Sequence, residues 1–321
     1  MALTDIFGSK NNIDDYLKTI LTQKQTLLTS INTWGTESIT RLLPYIIAGK
    51  SVRGCLALFA YRMFSKDADT SAALPIAAGL ELIHTGALIH DDIMDQDDMR
   101  RHLKAMHTQF DSFSKDTRFG ESMAINIGDL CFFLAFEELA KVMHPNLSRI
   151  VSLAAQEFSG VTIGQQFDVA SSYTNHQSTE EEILSLYKHK TARYTFSLPL
   201  MMGALLSNAN EEALRTLEAI GEDIGILFQL RDDELSIIGD PTLTGKPIGS
   251  DETNKKQTLI HLYLRNGNTT DYATSTTRIE MQKIKTHHTD RAIEKIETLQ
   301  VPLEHKQTLK ELVIFCGTRE A

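Results

Sequence analysis

The chain has 321 residues, 42% of them hydrophobic and 23% charged, a balance typical of a globular protein that buries one large core or two smaller ones. Its formal net charge of −10 at pH 7 argues against a nucleic-acid partner, because phosphate backbones are bound by basic surfaces. The three cysteines lie far apart without metal-ligand spacing, which predicts reduced thiols in a cytoplasmic protein, and the first residues show no secretion signal.

Helical periodicity runs through most of the chain. Apolar residues recur at three- and four-residue spacing from Ile13 to Ile20 and from Leu56 to Met63, as on one face of an amphipathic helix. Ser178, which precedes three glutamates, predicts a helix start with a serine cap. No hairpin is predicted. We expect an all-α protein with one domain over residues 1–321 and long helices at 72–95, 128–143, 147–170, 180–204 and 210–237.

The most apolar segment, residues 72–90, is predicted to be a buried helix. It contains Pro75, Glu81 and His84, and it ends at Asp91. A membrane span needs about 20 predominantly apolar residues, and this segment is interrupted before that length. We therefore predict no membrane span.

An acidic cluster follows this helix directly. Asp91, Asp92 and Asp95 form the pattern D-D-x-x-D, in which the first and last carboxylates share one helical face. Like charges at this spacing are unfavourable, and the C-terminal end of a helix also favours cations over anions. A bound cation would compensate for both effects. Carboxylates without His or Cys at ligand spacing favour Mg²⁺ over zinc.

A second acidic pair stands at the end of another apolar run. Asp232 and Asp233 lie in the stretch FQLRDDELSIIGD. Two such clusters predict facing helices with Mg²⁺ between them, and Mg²⁺ prefers to share its coordination sphere with phosphate oxygens. A Mg²⁺-bridged diphosphate is therefore the predicted ligand. The alternative is that both clusters are solvated helix ends.

Basic residues near these clusters fit the same ligand. Lys50 and Arg53 lie three apart in GKSVR, and two arginines follow the first cluster. Arginine suits a bidentate grip on phosphate oxygens, and lysine acts as a point charge. Each of them alone could equally be a surface charge. The full set is Lys50, Arg53, Arg100, Arg101, Lys190 and Lys246.

These motifs together resemble a known family. GKSVR, ELIHTGALIHDDIMDQDDMRR, NIGDL, GQQFD, HKTA, FQLRDD and GKPIGSDETNKKQTL occur in the order typical of the trans-isoprenyl diphosphate synthases, the polyprenyl synthetase family, over residues 43–262. The chain looks most like members that make geranylgeranyl or medium-chain products. The resemblance implies the isoprenoid synthase fold, a bundle of long helices around a deep central apolar cavity, usually in a homodimer.

The resemblance also implies a role for each matching residue. The substrates would be isopentenyl diphosphate and an allylic diphosphate. Asp91 and Asp95 would hold two Mg²⁺ ions and Asp232 a third. The allylic diphosphate would be bound by Arg100, Lys190, Lys246 and Lys256, with Lys255 as the alternative to the last. Isopentenyl diphosphate would be bound by Lys50, Arg53, His84 and Arg101, with Phe228 near its hydrocarbon part. Lys190, Thr191 and Gln229 would be the catalytic residues, the last two directing oxygen dipoles at the allylic cation.

The segment before the first motif bears on product length. Ile83, Gly86 and Ala87 precede Asp91 by one to two turns, and in this family bulky aromatics at the last two positions stop growth at fifteen carbons. Small residues here predict a product of twenty carbons or more, with Phe132 and Phe133 as a floor further down. The alternative is that the small residues only allow close helix packing.

One position departs from the family pattern. The second motif reads DDELS, so that Ser236 replaces its last acid. The spacing of Asp232, Ser236 and Asp240 also resembles the metal motif of terpene cyclases, which leaves a cyclase as one alternative. A non-catalytic subunit of a heteromeric synthase and a helical scaffold that binds basic partners are two others.

Overall fold

The protein is described from a computed structural model, which covers residues 3–66, 69–114, 116–174, 176–238, 257–267, 272 and 276–319. Helices account for nearly all regular structure in these residues, so the predicted all-α class is confirmed. The chain forms two compact units, one of Thr4–Leu147 and one of Met1–Leu3 with Ser148–Ala321. The predicted single domain stays a prediction.

Six α-helices lie in the described residues of the amino-terminal unit. Their bounds are α1 Leu3–Phe7, α2 Lys10–Ile31, α3 Trp34–Ile47, α4 Val52–Phe64, α5 Leu74–Met94 and α6 Thr117–Ala140. Helix α5 lies at the centre of this unit, since it packs against α2, α3, α4 and most extensively α6. Pro75 lies in its first turn, where the missing N–H would have no partner in the helix anyway.

Helix α5 is buried on most of its surface. The described stretch Ser71–Met94 is long and apolar enough to cross a membrane, but 67% of its most apolar window is buried inside the protein. Helices Trp34–Ile47 and Val52–Phe64 reach the length and hydropathy of a span only when they are taken together, and the chain bends by 63° between them. A core helix of a globular protein has this composition too, so these findings are weak evidence for a span.

A short hairpin that the sequence did not predict follows α5. Strand β1 (Met99–Arg100) pairs antiparallel with β2 (Leu103–Lys104), and the two turn residues are Arg101 and His102. Both turn residues have positive φ, 54° and 63°, as a type I′ turn requires. Such turns usually carry Asn or Gly, so MRRHLK lacks the usual signal.

The other helices in the described residues belong to the carboxy-terminal unit. They are α7 Leu147–Tyr173, α8 Glu180–Leu186, a π-helix Tyr187–Ser197, α9 Leu198–Leu206, α10 Glu211–Ile238, α11 Leu259–Asn266, α12 Thr276–Thr298 and α13 Leu303–Thr318. Helix α10 packs against the π-helix, α12 and α13, and it is the central element of this unit.

Several predicted helix boundaries differ from the structure by up to three residues, and three further differences are informative. Helix α6 begins at Thr117, eleven residues before the predicted start, with the side chain of Asp116 as its cap. The predicted helix over 180–204 is α8, the π-helix and α9 in succession. The cap of α8 is Thr179 rather than Ser178. Thr179 and Glu182 form a reciprocal capping box. Ser178 and Glu181 have the same spacing, so the local sequence alone did not decide between Ser178 and Thr179 as the cap.

A buried aspartate ties α12 to α10. Asp223 is 1% exposed and accepts hydrogen bonds from His288 Nδ1 at 2.7 Å and Lys295 Nζ at 2.6 Å, with Arg291 Nη2 at 3.5 Å. Burial alone would raise the pKa of Asp223, but the hydrogen bonds from His288 and Lys295 outweigh it and hold the pKa below its ordinary value. A carboxyl with a depressed pKa stabilises the fold at every pH above its pKa in the unfolded chain.

We therefore expect Asp223→Asn to lower the free energy of unfolding by about 3 kcal/mol at pH 7, since breaking a buried ion pair costs this much. The difference in the free energy of unfolding between wild type and variant should shrink as the pH falls below about 4, because the Asp223 carboxyl of the unfolded chain binds a proton there. Denaturant titrations across pH 3–8 measure it. Asp15→Asn is the matched control, because Asp15 forms only an exposed pair with Lys18. Equal effects of the two substitutions at pH 7 would contradict the prediction.

Candidate active site

The second aspartate of the first motif is fully buried. Asp92 is 0% exposed, and its carboxylate accepts a hydrogen bond from the Tyr45 hydroxyl at 2.6 Å and from Arg100 Nε at 2.7 Å. Burial raises the pKa of Asp92, and the Arg100 guanidinium opposes that shift. Arg100 also contacts Asp97, at 3.2 Å. The guanidinium predicted to bind diphosphate is thus already oriented by two carboxylates.

The other two acids of the motif are partly exposed. Asp91 and Asp95 lie one turn apart at the end of α5, where the Asp95 N–H donates to the Asp91 carbonyl at 2.8 Å. No cluster of three or more His, Cys, Asp or Glu side chains suited to a metal occurs in the described part of the chain. Two carboxylates on one face fit Mg²⁺, which is usually held by one or two carboxylates together with waters and substrate phosphates. They do not fit structural zinc, which takes four protein ligands.

A cationic group lies beside α4 and α5. Arg101, at the hairpin turn, has its Nη2 3.5 Å from His84 Nε2 and packs so closely on Gly49 that a side chain there would overlap it. Burial lowers the pKa of His84 well below its ordinary value, and the nearby Arg53 and Arg101 add to this effect. Three of the residues predicted to bind isopentenyl diphosphate are therefore neighbours. Lys50 is exposed in the adjoining loop.

A buried glutamate that the sequence analysis did not assign to the site supports this group. Glu81 is 4% exposed and accepts hydrogen bonds from the backbone N–H groups of Arg53 and Gly54, the latter at 2.8 Å. These N–H groups belong to the first turn of α4, where no carbonyl of the helix can accept them. Burial raises the pKa of Glu81, which Arg53 counteracts. The carboxylate thus caps α4 and fixes the position of Arg53.

The residues predicted to limit product length fall into two groups. A Cβ at Gly86 would lie 2.7 Å from the Gly128 carbonyl oxygen and 2.8 Å from the Phe132 ring, so Gly86 is needed for close packing of α5 on α6. Phe132 therefore does lie beside α5, whereas Phe133 is 68% exposed. Consecutive residues of a helix point about 100° apart, which explains why only one of the two faces α5. Ile83 is buried and Ala87 is half-buried.

The π-helix brings the predicted catalytic residues of the carboxy-terminal unit together. Lys190 pairs with Asp168 of α7, and the Thr191 hydroxyl donates to Gln229 Oε1 of α10 at 2.9 Å. A Cβ on Gly225 would collide with Ala192, so this glycine allows the π-helix to approach α10 next to Thr191. Single π-helical turns occur preferentially at functional sites. The sequence motif GQQFD supplies Asp168, but its contact with Lys190 was not predicted.

The second motif repeats the arrangement of the first. Asp233 is 2% exposed and accepts a hydrogen bond from the Tyr187 hydroxyl, as Asp92 does from Tyr45. Asp232 is 48% exposed and pairs with the Arg319 guanidinium. Sequence reasoning missed both tyrosines, because their distances of 47 and 46 residues from the aspartates leave no local signal.

The Arg319 guanidinium also lies over a predicted substrate residue. Its Cζ is 3.9 Å from the centre of the Phe228 ring, a cation–π contact, and the Phe228 ring packs against Phe196. One face of Phe228 is therefore covered by Arg319, and its contact with substrate stays a prediction.

The rest of the second motif serves the fold. Glu234 is buried and accepts hydrogen bonds from Tyr272, Lys285 and Arg231. Ser236 donates to the backbone carbonyl of Asp233 within the same helix, at 2.8 Å, a common placement for serine. Lys246, Lys255, Lys256 and Asp240 lie outside the described residues.

The sequence model of one protein family matches most of the chain. The polyprenyl synthetase profile covers residues 36–296. The chain is 36% identical to a short chain isoprenyl diphosphate synthase of Methanocaldococcus jannaschii over 216 residues. The aligned region covers 67% of this chain and 62% of that protein. It is 31% identical over 250 residues to the farnesyl diphosphate synthase of Geobacillus stearothermophilus, covering 74% and 80% of the two chains.

A solved structure is similar over nearly the whole length. The geranylgeranyl pyrophosphate synthase of Corynebacterium glutamicum, solved with isoprenyl diphosphate and magnesium, has a TM-score of 0.89 at 27% identity and covers 98% of this chain and 99% of its own. The fold, the ordered motifs and the matched profile agree, and the chain therefore belongs to the polyprenyl synthetase family.

Proposed function

We propose that the protein is a prenyltransferase that condenses isopentenyl diphosphate with an allylic diphosphate to give an all-trans polyprenyl diphosphate. The observation that carries the proposal is the group of Arg53, His84 and Arg101 beside the D-D-x-x-D acids in one unit. A synthase needs a cationic site for a second diphosphate next to its metal-binding acids. The family relatives named above, which are synthases of this type, support the same activity.

Magnesium is the metal that the donor set fits, and Asp91, Asp95 and Asp232 are the residues that would hold it. We propose three ions per site, divided between the two motifs. When bound, Mg²⁺ stabilises the negative charge that develops on the departing diphosphate. In this structure Arg319 supplies the positive charge at Asp232.

The chain's own residues then perform three tasks. Arg100 and Lys190, with Lys246 and Lys256, would hold the allylic diphosphate while its carbon–oxygen bond breaks and the electron pair leaves with the diphosphate. Thr191 and Gln229 would stabilise the allylic cation through their oxygen dipoles. Lys50, Arg53, His84 and Arg101 would hold isopentenyl diphosphate, whose double bond attacks the cation.

No protein base is required for the last step. After the new carbon–carbon bond forms, a proton is lost, and the departing diphosphate is the acceptor that we propose. The deep apolar cavity expected for the growing chain also excludes water, which would otherwise quench the cation.

A product of twenty carbons or more is proposed from α5. Ala87 is half-buried and small, and it lies on the helix that leads to the metal-binding acids. Gly86 is explained by its packing on Gly128, so we assign the control of product length to Ala87 and not to Gly86. Phe132, which lies beside α5, is the residue that we retain as a floor.

We further propose a cytoplasmic homodimer. Helix α6 exposes Ile125, Phe133 and Phe136, by 45%, 68% and 56%, as an apolar stripe on one face. A stripe of this kind is typical of a surface that another chain covers. Phe133 would then be buried by the partner instead of lining the interior of its own chain.

Asp91→Asn should reduce product formation by about 100-fold or more, because it removes a metal ligand from the ionisation step. The assay measures chain-length-resolved products from both substrates with Mg²⁺. Asp98→Asn, which changes an exposed acid just past the motif, is the control and should retain activity. Wild-type protein should also melt at a higher temperature with Mg²⁺ and diphosphate.

Three results would replace the proposed function. A cyclic hydrocarbon and diphosphate from the allylic substrate alone would indicate a cyclase. No product from the purified chain, together with activity when a second protein is added, would indicate a non-catalytic subunit. Absence of both activity and thermal stabilisation by Mg²⁺ with diphosphate would favour the scaffold.

Ala87→Phe should shorten the product, because the ring would extend from α5 into the path of the growing chain. Chromatography of the dephosphorylated alcohols measures the change. Ile314→Phe on α13, at an exposed position, is the control for adding an aromatic ring. Farnesol as the main alcohol of the wild-type protein would refute the proposed length, and an unchanged product from Ala87→Phe would show that the chain grows elsewhere.

A further inference from the structure

A chain of hydrogen bonds links the predicted catalytic pair to the start of α11. The Thr191 hydroxyl donates to Gln229 Oε1 at 2.9 Å, and Gln229 Nε2 donates to Asp233 Oδ1 at 2.9 Å. The Tyr187 hydroxyl donates to Asp233 Oδ2 and accepts the Leu259 N–H, at 2.9 Å. All of these groups lie in the carboxy-terminal unit.

The chemistry of each group determines the direction of the chain. The carboxylate of Asp233 only accepts hydrogen bonds, so the nitrogen of the Gln229 amide must face it. The amide oxygen is thereby turned toward Thr191. Because the Thr191 hydroxyl donates its proton to a hydrogen bond with that oxygen, the lone pairs of the hydroxyl point away from Gln229. Both side chains can then present lone pairs, and not protons, to a cation.

Tyr187 fixes the other end of this chain. Leu259 is the first residue of α11, and the N–H groups of a first helical turn have no carbonyl to accept them within the helix. The Tyr187 oxygen accepts this N–H, which leaves the hydroxyl proton for Asp233. Tyr187 is 4% exposed and Asp233 is 2% exposed, so neither bond is readily replaced by one to water.

We propose that Tyr187 and Asp233 are positioning residues that set the orientation of the Gln229 amide during prenyl transfer. Neither residue needs to touch substrate for this role. Without the Tyr187 hydroxyl, Asp233 loses one donor and the Leu259 N–H loses its acceptor, so the carboxylate and the amide that depends on it can rotate. A rotated amide turns N–H groups toward the developing cation, which raises the barrier to ionisation. The inference depends on the proposed function.

The test compares Tyr187→Phe with Tyr272→Phe. Each substitution removes a tyrosine hydroxyl that donates to a buried carboxylate of α10. Tyr272 donates to Glu234, the residue after Asp233, at 2.8 Å. Among the contacts of the described residues, the pair of Tyr187 and Asp233 is the one connected to Gln229. We expect Tyr187→Phe to lower kcat about tenfold or more with both KM values within about threefold, because the loss is confined to the transition state. Tyr272→Phe should change kcat less than about twofold.

A double-mutant cycle tests the route of the effect. If Tyr187 acts through Gln229, Tyr187→Phe should cost no further kcat in a Gln229→Met background, so that the two losses are not additive. Melting temperatures of all variants show whether they are folded. If Tyr187→Phe does not fold, Asp233→Asn replaces it in the same cycle, because its amide can either accept from the Gln229 nitrogen or donate to the Gln229 oxygen, which removes the directional constraint.

Two outcomes overturn the inference. Equal kcat values for Tyr187→Phe and Tyr272→Phe would show that the hydroxyl serves stability alone. Additive losses in the cycle would show that Tyr187 or Asp233 acts independently of Gln229. Failure of the wild-type protein to transfer prenyl groups would instead refute the proposed function, so the two failures are distinguishable.

Discussion

The burial of one aspartate in each acidic pair is the constraint on which the candidate residues of each unit depend. Asp92 and Asp233 are 0% and 2% exposed, and each accepts a hydrogen bond from a tyrosine hydroxyl of another helical element. A buried carboxylate without partners would cost several kcal/mol, and the tyrosines offset this cost together with Arg100 at Asp92 and Gln229 at Asp233. Because successive helical residues point about 100° apart, burial of the second aspartate commits the first to another face. The buried acid therefore orients the exposed one.

Basic side chains of both units are held in the same manner. Arg100 is paired with Asp92, Lys190 with Asp168 and Arg319 with Asp232, so each positive group has a carboxylate that fixes its position. Long basic side chains lose much conformational freedom on binding an anion. Cations that are already oriented lose less, and they stabilise developing charge without reorganisation. Glu81 acts similarly on the backbone that carries Arg53.

Irregular backbone occurs where the candidate residues lie. Arg101 adopts a positive φ in a tight hairpin turn, and Ser51 does so at 48° directly before α4. Lys190 and Thr191 lie in a π-helix between two regular helices. Such conformations cost free energy and persist only where surrounding contacts enforce them. Here Arg101 contacts His84, and Lys190 pairs with Asp168.

The sequence by itself determined the all-α class, the two acidic pairs and the family, because helical periodicity and ordered motifs are local properties of a chain. It also predicted a shared role for Thr191 and Gln229 and another for His84 and Arg101, and the two residues of each pair are in contact. Only the tertiary structure decided the roles of Tyr45, Tyr187, Glu81 and Arg319, and it separated Phe132 from Phe133. These assignments depend on which surfaces of distant helices meet, and a hydrogen bond between residues 46 positions apart leaves no periodic trace in the sequence.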